Sequence, residues 1–376
     1  MAHAGTVIAL AALLLALTGC DGMNRQSVEP AGNHAEQVGR ATNEVLREVE
    51  RLTRTYDELA QNAGKKAGRV HVPAGSNDAL ANAIAESGAG GRVVLAAGAH
   101  HESQTVVIPH RVTLVGEPGA KLIVDTQPRS VVSTLDPALH VVDAPRVAIW
   151  GIAIEPKEDV GGTAILAERS PHLVVGRMQI REHQVGIALH RTDHARLVHN
   201  TLAMSTAPGI GFRQGVLLIS GAQAMVASNT VSNATVGFFV SDEHGRLIGN
   251  EAFGNLLGFL ICKPNPQPAP NGDLLETEAS ATKWLLSLND AHDNAWGYLF
   301  INDANDNLMA PNNRASNNAS YDIELAGATD RFGPLYPPTF ENKVFSSDPN
   351  MTIKDCGIDN RVVGGTQVDT NADPCF

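Results

Sequence analysis

The sequence predicts an all-β chain wound as a right-handed parallel β-helix, with a short helix capping its first rung. Three observations carry this. Strings of Gly followed by apolar residues recur along the chain. Asparagines stand at a fixed offset before them. The composition suits a narrow coil with many turns: 43% hydrophobic but only 5% aromatic, with 35 glycines. The core is therefore expected to be built from Ala, Val, Leu and Ile rather than large rings.

The strings are Gly186-Ile-Ala-Leu, Gly215-Val-Leu-Leu-Ile, Gly237-Phe-Phe-Val, Gly258-Phe-Leu-Ile-Cys and Gly297-Tyr-Leu-Phe-Ile, with weaker members at Gly162 and Tyr321. Their gaps, from Gly162 onward, are 24, 29, 22, 21, 39 and 24 residues. A fixed period of this size marks a solenoid, and a rung near 22 residues, sometimes lengthened by a loop, accounts for all of them. Short, partly β-branched strings suit strands buried on one face, with parallel neighbours above and below. Asn229, Asn250, Asn289 and Asn313 each stand eight residues before the next string, and Asn200 holds the same place one rung earlier. Stacked rungs bring such residues into one column, where side-chain amides bond to each other and to the backbone.

Residues 70 to 120 read as a strand, a short helix (78 to 86) and strands closed by Gly-rich turns. This resembles the opening of pectate-lyase-like β-helix proteins, in which a helix protects the end of the core. The resemblance spans roughly residues 69 to 365 and implies the fold. It leaves function open, because the fold hosts lyases, hydrolases, epimerases, esterases and non-enzymes.

The first residues carry a different signal. Residues 5 to 17 form an apolar run too short to span a bilayer, as in a signal peptide. The run ends in Leu17-Thr18-Gly19-Cys20, which resembles the bacterial lipobox. The resemblance implies a signal peptide over 1–19, acylation (palmitate included) at Cys20, and a lipid-anchored place in the bacterial cell envelope, facing the periplasm or exterior. Residues 1 to 4 depart from the pattern by lacking Lys and Arg. Asp21 resembles the inner-membrane retention signal of enteric bacteria. Residues 20–68 are expected to form a stalk. Its short amphipathic helix, apolar at Val45, Val49, Leu52, Tyr56 and Leu59, would bridge the lipid and a body over 69–376 that ends in a C-terminal cap.

The net charge of −12 argues against nucleic acid as a partner. In an exported chain, a Cys356–Cys375 disulfide would close the tail, and the sequence leaves that pairing open. Cys262, inside an apolar string, reads as a buried small hydrophobe.

Chemistry is expected where long insertions leave the coil. Residues 263 to 283 and 327 to 340 both follow apolar strings, so they should project on one side and flank the Asn302–Asp306 segment. Lys263, Asp303, Asp306, Arg331 and Tyr336 are the catalytic candidates. A lyase or epimerase acting on a uronate needs a base, an acid and a cation for the carboxylate. Lys263 or Tyr336 would be base or acid, Arg331 the cation, and the aspartates Ca²⁺ ligands. The competing reading is solvated loop charges and a turn-forming cluster.

Asp290-Ala-His-Asp293 resembles the Asp-Pro-His-Asp of mannuronan C5-epimerases. The register speaks against it: His292 follows Asn289 where other rungs have Ser232, Phe253 and Ser316, and Asp293 aligns with Asn233, Gly254 and Asn317. A His/Arg cluster over residues 169 to 199 remains. A 24-residue period places His172 under Arg196, with Arg146 near the same column. These three are candidates for binding an acidic polysaccharide. The cluster also resembles the periplasmic β-helix protein of nitrous oxide reductase maturation, which would imply a metal. The histidines lack ligand spacing and Cys and Met are scarce nearby, so no metal site is expected. The leading expectation is an envelope lipoprotein that binds an acidic polysaccharide and cleaves or epimerises it. The alternative is a non-catalytic structural or adhesive module.

Overall fold

In the computed structural model, the residues described are 32–62, 69–128, 135–207, 211–263, 280–328, 337–370 and 375. Cys20, Arg331, Tyr336 and most of both insertions lie outside them. The body is a right-handed parallel β-helix of three sheets with 12, 9 and 11 strands, here sheets 1, 2 and 3 in the order the chain visits them. Every strand pairs in parallel with its counterpart one rung on, as right-handed crossovers require.

The glycine that opens each string has a steric cause. A Cβ on Gly186, Gly215, Gly237, Gly258 or Gly297 would lie 2.5–2.6 Å from a carbonyl oxygen of the next rung. The weaker strings fall out of this column. Gly161 pairs with His183, so Gly162 stands opposite Gln184 rather than Gly186, and Trp296 pairs with Tyr321, so Gly297 faces Asp322.

The predicted asparagine column is continuous and buried. The Nδ2 of Asn200 donates to Asn229 Oδ1 (2.8 Å), Asn229 to Asn250 (2.9 Å), Asn250 to Asn289 (3.0 Å) and Asn289 to Asn313 (3.0 Å). Each amide also donates to a backbone carbonyl of an earlier strand, so groups that a tight turn would orphan are paired. Two further ladders exist, Asn255–Asn294–Asn318 and Asn307–Asn342–Asn360. Each ends on a carboxylate, Asp322 and Asp355 respectively.

The core is lined mainly by Val, Leu, Ile and Ala, as expected. It departs from expectation in its widest rungs. Phe238, Phe259 and Tyr298 stack at 4.8 Å per step, and Trp284 is fully buried where Gly245 leaves room for its ring. The helix α2 (Leu80–Ser87) closes the first rung with Leu80, Ala83 and Ile84, and Glu102 accepts hydrogen bonds from the Ala79 and Leu80 N–H groups at its start. Cys356 and Cys375, whose pairing the sequence leaves open, form a disulfide.

The helix expected in the stalk is α1 (Gly32–Gln61), and it corrects that reading. It lies along the outer face of sheet 1, burying Val45, Val49 and Leu52 against Val94, Val115, Trp150, Val198, Met225 and Ile248. Each such side chain contributes about 1.5–3 kcal/mol. Polar clamps fix its direction. Thr42 donates to Ser287, Arg246 pairs with Glu44, Arg196 with Glu48, and Asp57 takes both Arg177 and the Trp150 indole N–H. From Thr42 to Asp57 the helix advances about 22 Å. The five rung steps from Ser287 back to Trp150 span about 24 Å. The helix therefore runs nearly along the solenoid axis, against the winding.

Candidate functional site

Where sheet 3 turns into sheet 1, every rung from Arg146 onward puts a left-handed residue two places before its sheet 1 strand, and some rungs hold a second in the same turn, such as Asp143, Arg169 and Arg191. The residues two places before the strand are Arg146, His172, His194, Gln223, His244, Lys283, Asp306, Glu341 and Asp359, with φ between 51° and 62°. Backbone hydrogen bonds join them into one column: each N–H reaches the carbonyl just before the next member, from Arg146 (2.9 Å) to Glu341 (3.1 Å). Such a turn points its side chain outward, and all are exposed except His194, which is half-buried. The asparagine or glycine that a positive φ favours holds none of these places. The column is sorted by charge. Arg146, His172, His194, His244 and Lys283 share six rungs with neutral Gln223, and the next three rungs are acidic.

The imidazoles of His172 and His194 stack at 4.8 Å with an 8° interplanar angle. Burial holds His172 below the usual histidine range, with smaller effects in the same direction from His194, Arg196 and Arg146. Among the described residues, no carboxylate lies within ion-pair distance of Arg146 or Lys283; His244 is 3.6 Å from Glu243.

Beside this column α1 walls off a cleft of about 490 Å³, lined among others by Arg47, Arg51, Arg196, Arg246, Glu44 and Glu48. That is within the usual range for ligand pockets. Glu48 is held below the usual carboxylate range, chiefly by its hydrogen bonds from Arg51. Four arginines against two glutamates leave the lining cationic in a protein of net charge −12.

The sequence reading grouped Arg146, His172 and Arg196. The structure keeps the first two on adjacent rungs and moves the third. The rung here has 22 residues, not 24, so His172 sits under His194. Arg196 stands two residues further on, opposite Val174, and is bonded to Glu48 at 3.1 Å. His244, Lys283 and the acidic trio were missed. Their only sequence signal is a position six residues before a ladder asparagine for His244 and Lys283 and directly before one for Asp306, Glu341 and Asp359, and this change of offset hides the column.

The catalytic candidates are less gathered. Both insertions follow the ends of sheet 3 strands, Leu257–Cys262 and Tyr321–Leu325, with the strand Trp296–Ile301 between them. Lys263 and Asp303 form an ion pair of 3.2 Å, and Asn302 donates to the Lys263 carbonyl. Asp306 belongs to the acidic end of the turn column. Arg331 and Tyr336 are not among the described residues. Within those residues, no three His, Cys, Asp or Glu side chains gather around a point fit for a metal ion, so Asp303 and Asp306 do not come together as a Ca²⁺ site there.

His292 lies on sheet 2, paired with Phe253 and Ser316 and stacked on the Phe253 ring at 5.3 Å. The bond to Asp293 raises its affinity for a proton. Asp293, Asn233, Gly254 and Asn317 all have φ of 55–63°, so the motif holds a turn position, as its register indicates. The Cys262 thiol is pushed up to about 12 by burial, as suits an inert side chain.

No family model matches this chain, and no curated protein matches it in sequence. Solved structures do. A polygalacturonase from Erwinia carotovora subsp. carotovora superposes with a TM-score of 0.50 at 9% identity, over 80% of this chain and 96% of that one. The ORF18 protein of Geobacillus virus E2 also gives 0.50, at 11% identity over 77% of this chain. This chain spans only 56% of the viral protein. At such identities the likeness establishes the shared parallel β-helix fold.

Proposed function

We propose that the protein binds an acidic polysaccharide laid along the solenoid axis on the cationic half of the turn column. The observation that carries this is the rung-by-rung placement of Arg146, His172, His194, His244 and Lys283, interrupted by neutral Gln223 alone, on an otherwise acidic molecule. Arg146 and Lys283 carry standing positive charge, and protonation of the histidines between them, on rungs about 4.8 Å apart, completes a row that faces a polymer of regularly repeated carboxylates. Arg196 and Arg246 are taken by Glu48 and Glu44, so their part is to hold α1 as the wall of the cleft. The fold shared with a polygalacturonase supports the reading at the level of fold only. The lipobox supports a setting in the cell envelope, tethered through Cys20, which labelling with a radioactive fatty acid in wild type and Cys20→Ala would test.

Binding without turnover is the reading taken here, because Lys263 and Asp303 neutralise each other. The test is gel retardation of the protein by polyuronates at low and high salt. Arg146→Glu with Lys283→Glu should weaken retention at least about tenfold at low salt, and added salt should abolish it. Equal retention of the double variant, or stronger retention by duplex DNA of the same charge, would overturn the proposal. New ultraviolet absorbance from an unsaturated uronate would replace it with a lyase.

A further inference from the structure

We infer that the change of sign between Lys283 and Asp306 is the end-stop of the binding site, fixing how long a stretch of polyanion the protein holds. This rests on the function proposed above. The cationic stretch from Arg146 to Lys283 covers five rung steps, about 24 Å. The next three members of the same column, Asp306, Glu341 and Asp359, are exposed carboxylates in the same backbone conformation. They project in line with the cationic row, on rungs held by unbroken hydrogen bonds. A carboxylated chain following the row meets like charge at Asp306 and gains nothing by continuing. Opposite charges fix affinity and like charges fix register, so the column reads length as well as charge.

The experiment is a series of oligouronates of increasing length, titrated against the intact protein by calorimetry. Affinity should climb with length until the oligomer spans about five rungs and then level off. Asp306→Lys with Glu341→Lys should move the plateau to longer oligomers and tighten the longest about tenfold. Both substitutions suit the backbone, because Lys283 and Arg146 already occupy this turn position on other rungs with φ of 58° and 60°. Wild-type affinity that keeps climbing past that span, or a plateau unmoved in the double variant, overturns the end-stop while leaving binding intact. Failure of every oligomer and polymer to bind sinks the function reading and the end-stop with it.

Discussion

Asn250→Ala should be among the most damaging single substitutions in the molecule. The side chain is 1% exposed and takes part in four hydrogen bonds. Its Oδ1 accepts from the N–H and Nδ2 of Asn229, and its Nδ2 donates to Asn289 Oδ1 and the Val226 carbonyl. Alanine strands the Asn229 amide and the Val226 carbonyl where water does not reach. At about 0.5–1.5 kcal/mol net for each bond, plus the cost of buried groups left unpaired, the loss should be about 3–5 kcal/mol. The assay is urea unfolding followed by circular dichroism, with hydrogen exchange locating the damage in strands Met225–Ala227 and Arg246–Ile248. Asn317→Gly, at an exposed turn with φ of 56°, is the control and should shift stability by no more than about 0.5 kcal/mol. Asn200→Ala, at the ladder's end with three bonds, should lose less than Asn250→Ala. A loss under about 1 kcal/mol at Asn250 would refute the view that the ladder holds the turns together.

Other outcomes follow from the same structure. Leu52→Ala removes a side chain buried under α1 and should cost about 2–4 kcal/mol, read as a lower urea midpoint. Asp242 is pushed up to about 7 by burial, so the folded state keeps a proton that the unfolded carboxyl releases near ~3.9. Stability should therefore fall as pH rises between those values and flatten above them. Asp242→Asn should remove that slope and gain up to roughly 4 kcal/mol near pH ~8; an unchanged slope would count against the cause. Polyuronate binding should strengthen on acidification, because a bound polyanion raises the depressed proton affinity of His172 and lowers the repulsion between stacked rings. Calorimetry in buffers of different ionisation heat should show proton uptake, and its absence would exclude the histidines. Reducing the Cys356–Cys375 bond should cost about 3 kcal/mol, measured as thermal midpoints with and without reductant.

What the sequence reveals here is whatever repeats. Asn200, Asn229, Asn250, Asn289 and Asn313 could be read as a column because their offset survives changes in rung length. Asn255, only five residues after Asn250, looks like an ordinary turn former until Asn294 is seen to accept its hydrogen bond. The error at His172 has a related cause. Aligning Gly162 with Gly186 by their matching strings lengthens a 22-residue rung to 24 and shifts the basic residues by two. Periodicity gave α1 an apolar face but not its partner. The residues that meet it, from Val94 to Ile248, are remote in sequence. The charge column was hidden for the same reason, since its members come together only through hydrogen bonds between rungs.

The helix along sheet 1 also sets an order of events. It precedes every rung in the chain, yet its clamps are Trp150, Arg177, Arg196, Arg246 and, 245 residues after Thr42, Ser287. Rungs can stack one by one as they are made, but the helix can lock only when the ninth strand of sheet 1 is in place. The helix that precedes the coil in the chain is thus among the last elements to settle, and its docking reports that most of the coil beneath it has been built.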